Sequence, residues 1–153
     1  MAATTHSTPR DPGDTWLAES AACSELAYAV WDSRGLVLIH CTQWLAAEVQ
    51  LQTAMQAVQR IPPSEQGPLL VDVRMDKAWW LMPLDAREQL ADVPQILVLP
   101  LGWPLRCPST QRAVGSRVWL EAPDGTGRLM YPVYLAAALD PGGGPRLPAE
   151  AFG

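Results

Sequence analysis

The run Pro68-Leu69-Leu70-Val71-Asp72-Val73-Arg74 constrains this chain more than any other feature. An unbroken apolar stretch that then begins to alternate fits a strand covered on both faces, inside a layered sheet. Such a strand needs packing material on each side of its sheet. The chain can supply it: 153 residues, 48% of them apolar, suffice for one domain with a real core.

The neighbouring segments read as that material. Residues 26–32 and 35–44 are two β-rich runs around a polar turn at Asp32–Gly35, which predicts a hairpin with Gly35 at positive φ. Thr42 is placed to cap a helix over 45–61, with Ala47, Leu51, Ala54, Met55, Val58 and Ile61 as its apolar stripe and Gln52, Gln56 and Gln59 facing out. Pro62 and Pro63 end it. A second helix is expected over 83–92, with Pro83 in its first turn. Residues 95–101 read as a second buried strand, adjacent to 68–74. One helical turn is expected at 109–115, a strand at 116–122 and a turn at 123–127. Residues 128–139 read either as a hairpin partner of the 116–122 strand or as a closing helix from Pro132, the helix formers of 134–139 favouring the helix.

The fold class is therefore α/β, a single domain with an open mixed β-sheet, an N-terminal hairpin and helices packed on it. Residues 16–139 form the domain. Residues 1–15 and the Gly/Pro-rich 140–153 read as tails. This element order, with the Val71-Asp72-Val73-Arg74 run, resembles the STAS-domain family, the sulfate-transporter and anti-sigma-factor antagonist fold, and most of all its lipid-transfer-like branch of small bacterial proteins, over about residues 26–139. The resemblance implies a regulatory, protein-binding role. Phosphorylated members of that family carry a Ser or Thr just after the central strand. Residues 74–85 contain no hydroxyl side chain of that kind, so phosphorylation there is not implied.

Charge and composition remove other classes. A net charge of −5, with Lys77 as the one lysine, argues against nucleic-acid binding through phosphates. The most apolar stretch, 96–105, is too short to span a bilayer and is interrupted by Pro100 and Pro104. The N-terminal residues lack the apolar stretch of a secretion signal. Cys23, Cys41 and Cys107 are far apart and show no ligand spacing, so free thiols, no bound metal and a cytoplasmic location are expected. His40 and Cys41 are adjacent on a predicted strand and face opposite ways, so the pair cannot act as base and nucleophile. Neither a nucleophile elbow nor a phosphate-binding loop occurs. No catalytic residue and no cofactor are assigned.

What remains is the end of the central strand, where ligands of open α/β sheets gather. The candidate binding residues are Asp72, Arg74, Asp76, Trp79, Trp80 and Trp103. Arg74 would fix an anionic group and the carboxylates would accept from a partner. The structural alternative is an internal Asp–Arg pair, with Asp72 also capping a backbone donor. Adjacent Trp79 and Trp80 cannot share one core, so one is expected to be partly exposed, with Trp103 approaching on a loop. The leading function is a non-enzymatic regulatory or protein-interaction module binding a protein partner at this rim. The second is a small carrier with an apolar ligand in a Trp-lined pocket. The third is an enzyme without a recognisable motif.

Overall fold

A computed structural model of the chain describes residues 10–140. Of the expected tails at 1–15 and 140–153, residues 1–9 and 141–153 lie outside the described residues. The element order is α1 Pro12–Glu19, α2 Ser24–Asp32, β1 Val37–His40, β2 Leu45–Gln50, α3 Leu51–Val58, a 3-10 turn Pro63–Glu65, β3 Leu69–Asp72, β4 Lys77–Met82, α4 Ala86–Gln89, β5 Leu97–Val98, β6 Pro104–Cys107, β7 Arg117–Glu121 and α5 Pro132–Leu139. The α/β single-domain class is borne out. The sheet is not mixed, however: every named pairing is antiparallel. Five strands run in the order β5-β2-β4-β3-β7, and β1 and β6 form a separate ribbon.

The five-stranded sheet carries a core on each face. On one side Leu45, Ala47, Val71, Trp80 and Met82 meet Ala54 and Ala57 of α3 and Leu135 and Ala138 of α5. On the other, Ala46, Leu70, Trp79, Leu81 and Trp119 meet Leu17 of α1, Trp31 of α2 and the ribbon residues Ile39 and Leu105. All four residues of β3 are buried, as its apolar run required.

Several readings need correction, among them the 83–92 helix, which shortens to Ala86–Gln89 and leaves Pro83 outside its first turn. The predicted N-terminal hairpin is a helix followed by an unrelated strand. Ala27 and Trp31, one helical turn apart, are the buried face of α2. What read as a hairpin turn is the helix C-terminus: the Gly35 N–H donates to the Val30 carbonyl and the Arg34 N–H to that of Trp31, a Schellman closure. Arg34, not Gly35, takes the positive φ of 62°. Gly35 is needed because a Cβ there would come within 2.8 Å of the Val30 side chain.

The 45–61 helix begins only at Leu51, since 45–50 is β2, seated between β5 and β4. Its good helix formers are overridden because Ala47 lies directly opposite Trp80 and Ala46 opposite Leu81, small residues making room for large ones. In the shortened helix Ala54 is buried, with Leu51 and Val58 packed on the core as the predicted stripe required, but Met55 is exposed and Ala57 is buried in its place. The 95–101 strand shrinks to Leu97–Val98 and borders β2, not β3. Residues 109–115 form turns rather than a helical turn.

The expected tail is also shorter, because α1 starts at Pro12. Asp11 caps it by accepting the Gly13 and Asp14 N–H groups. Buried Asp14 then accepts from the Ser109 hydroxyl and from the Thr110 N–H and hydroxyl, fastening α1 to the loop before β7. The strand read at 116–122 spans Arg117–Glu121, and of the two readings of the last segment the helix is the one formed, over Pro132–Leu139. No helix among the described residues is long and apolar enough to cross a membrane.

Candidate functional site

Residues 68–80 are a β-hairpin: β3, a four-residue turn Val73–Asp76, and β4. Asp72, the last residue of β3, fixes the turn from below. Its carboxylate accepts from the Ser116 hydroxyl at 2.7 Å, the Met75 N–H at 3.1 Å and the Arg117 Nε at 3.0 Å. Arg117 also donates to the Arg106 carbonyl and the Met75 sulfur, and its guanidinium lies 4.5 Å from the centre of the Trp79 ring. Burial alone would raise the Asp72 pKa. The bonds from Ser116, Met75 and Arg117 together outweigh it and hold the carboxyl below the usual range. Asp76 closes the turn at φ 58°, a conformation Asp tolerates better than most residues. It accepts from the Gln50 side chain and, through its carbonyl, from the Leu51 N–H, so the turn is also tied to the junction of β2 and α3.

Strand register explains this charge cluster. Gln50, Lys77, Asp72 and Arg117 stand side by side on β2, β4, β3 and β7, at the end of the face whose other end is apolar. Glu48 adds a carboxylate that accepts from Lys77 at 2.9 Å and from the Trp79 indole at 3.1 Å. Opposite charges thus alternate across the strands and satisfy one another, as partly buried charges must.

What faces outward is the turn itself. Val73 is 64% and Met75 50% exposed, with exposed Arg74 between them. The Arg74 side chain makes no hydrogen bond or ion pair among the described residues. Beside the turn a cleft of about 510 Å³ is lined by Met75, Asp76, Lys77, Gln50, Ile96 and Leu97.

The six residues singled out in the sequence therefore divide. Arg74 and Asp76 reach the surface together. Asp72 is buried and internally paired, with Arg117 rather than Arg74. Neither tryptophan of the pair is exposed: Trp79 and Trp80 are 3% and 0% accessible, because opposite faces of β4 both carry a core. Neither ring is free to wall a ligand pocket. Trp103 is 42% exposed but precedes the far end of β6, beside Cys41, and does not line the rim cleft. Arg117 and Ser116, which hold the turn, were missed. Their signal was an arginine opening the otherwise apolar strand Arg117-Val118-Trp119-Leu120.

The other reactive groups lie apart from this rim. Exposed His40 approaches the Gly102 carbonyl with a ring nitrogen, while Cys41 is fully buried. Burial pushes the Cys41 thiol up to about 12 and raises that of Cys107 as well, so both are poor nucleophiles. All three cysteines are free and Cys23 alone is exposed. A chromogenic thiol reagent should therefore titrate one thiol rapidly in the native protein and three in denaturant. Fewer than three in denaturant without reductant would reveal a disulfide and contradict this arrangement.

The fold and rim define an antiparallel α/β domain with a core on each face and a braced hairpin at one end of its sheet. No family model, no curated protein and no solved structure matches the chain.

Proposed function

We propose that the protein is a non-enzymatic interaction module that binds a protein partner through the 73–76 turn and its adjoining cleft. One observation carries this reading: exposed Val73 and half-exposed Met75 flank Arg74 on a turn whose shape is set by a buried carboxylate. A turn braced in this way loses little conformational freedom on binding. Apolar side chains beside an arginine are the composition of an interface centre. Each rim carboxylate is engaged, Asp72 and Glu48 with cations and Asp76 with Gln50, which leaves none poised for acid–base work. A reducing compartment such as the cytoplasm belongs to the same proposal, supported by the free thiols.

The test compares three immobilised proteins in extracts of the source cell: the parent, a Val73→Ser/Arg74→Ala/Met75→Ser variant, and a Gln52→Ala/Gln56→Ala control on the exposed side of α3. The turn variant should keep its fold, since Val73 and Arg74 are exposed and the one internal bond it removes is that from Arg117 to the Met75 sulfur. A partner held by the parent and the control should be lost from the turn variant. Undiminished capture by the turn variant, or no protein enriched by the parent, would sink the reading.

A further inference from the structure

A second cleft, of about 440 Å³, opens beside α1 and is lined by Trp16, Glu19, Ser20, Gln43, Trp44 and Leu129. Trp44 is fully buried, and the partly exposed Trp16 ring stacks on it with centroids 6.4 Å apart and planes inclined by 22°. The Trp44 indole N–H is buried and has no hydrogen-bond partner among the described residues. Buried donors are nearly always satisfied; of the two indole N–H groups without a partner among the described residues, those of Trp44 and Trp80, that of Trp44 belongs to a residue lining this cleft, where an acceptor from outside the chain could answer it. The side chains of Glu19, Ser20 and Gln43 likewise make no hydrogen bond among the described residues. Glu19 is the one acidic or basic side chain lining the cleft. It sits three residues after Trp16 on α1, so carboxylate and indole share a helix face.

An aromatic face beside an unpaired carboxylate recognises cations. An anion would be repelled by Glu19, and a wholly apolar ligand would leave the hydroxyl, amide and indole donors unanswered. The volume falls within the ordinary range of small-molecule sites. We propose that this cleft binds a small organic cation that also carries an oxygen acceptor, of the alkylammonium-alcohol class. Its nitrogen lies against the Trp16 ring next to Glu19. Its oxygen takes the Trp44 N–H, which it reaches when the Trp16 ring slides from its stacked position. This site shares no residue with the 73–76 rim and does not depend on the role proposed for it.

The probe is choline, titrated calorimetrically and by indole N–H resonances. Two analogues accompany it: 3,3-dimethylbutan-1-ol, which has the same shape without the charge, and tetramethylammonium, which has the charge without the oxygen. Choline should bind saturably and shift the Trp44 N–H resonance. Each analogue should bind roughly tenfold more weakly, and Glu19→Gln should weaken choline binding by a similar factor. Glu19 is exposed, so that variant keeps its fold, which an unchanged melting temperature would verify. Absence of saturable choline binding, equal affinity for the uncharged analogue, or an unaffected Glu19→Gln protein each overturns the cation site. Equal affinity for tetramethylammonium overturns the assignment of the Trp44 N–H.

Discussion

Arg117→Ala should destabilise the protein by about 3–5 kcal/mol, the usual result of removing one partner from a buried ion pair. The Asp72 carboxylate would keep Ser116 and the Met75 N–H but lose its countercharge inside the protein, where both partners are almost inaccessible. The Arg106 carbonyl would lose its donor, and the Trp79 ring the cation above it. Replacing both partners, as in Asp72→Asn/Arg117→Met, should cost clearly less than Arg117→Ala alone, because no charge is then stranded. Denaturant titration of the parent and the two variants decides this. An Arg117→Ala midpoint close to that of the parent would show that the pair does not brace the turn. The same carboxylate sets a pH dependence. Its pKa is lower in the folded chain than in the unfolded one, so its contribution is complete above the unfolded value near 3.9 and disappears as pH falls through the lower folded value. The parent should therefore lose stability below about pH 4, and the double variant should lose less over that window.

Trp80→Ala should cost a further large amount, about 3–5 kcal/mol. Trp80 lies on β4, the middle strand of five, fully buried between Ala47 on one side and Leu69 on the other. Its small neighbour Ala47 cannot expand to fill the space an alanine would leave, so a cavity remains. Trp80→Phe should cost less than half as much. The Trp80 indole N–H has no partner among the described residues, and its removal relieves an unsatisfied donor while most of the apolar contact is kept. Both variants should unfold with the denaturant dependence of the parent, so that midpoints can be compared directly. A Trp80→Ala protein within about 1 kcal/mol of the parent would place this side chain at an edge rather than in the core.

Those two residues show where local pattern gave out. The adjacency of Trp79 and Trp80 implied that they point opposite ways, and they do. It could not reveal that α1, α2 and the β1–β6 ribbon cover one face of β4 while α3 and α5 cover the other. Asp72 is a similar case. Its need for an internal partner followed from the cost of a lone buried charge, but Arg74, two residues away, was as good a candidate as Arg117, 45 residues away. Strand register chose between them, by setting Asp72 opposite Arg117 and leaving Arg74 on the turn.

The sequence by itself determined the doubly covered β3, a strand within residues 116–122 and the outward placement of Arg74 and Asp76, and it favoured a helix over a strand after Tyr131. Each follows from the character of a few consecutive residues: an unbroken apolar run, β-branched and aromatic enrichment, a proline at a helix start, polar residues past a strand end. The tertiary structure decided the rest. It made residues 45–50 a strand against their helical propensity, turned 24–32 into a helix, and assembled the Trp16–Trp44 cleft from segments far apart in the chain. Short segments of 4–9 residues, as nearly all of these elements are, differ little in local free energy between helix and strand. Contacts made elsewhere in the chain, such as Ala47 against Trp80 and Trp31 against the ribbon, are worth more than that difference and settle the outcome.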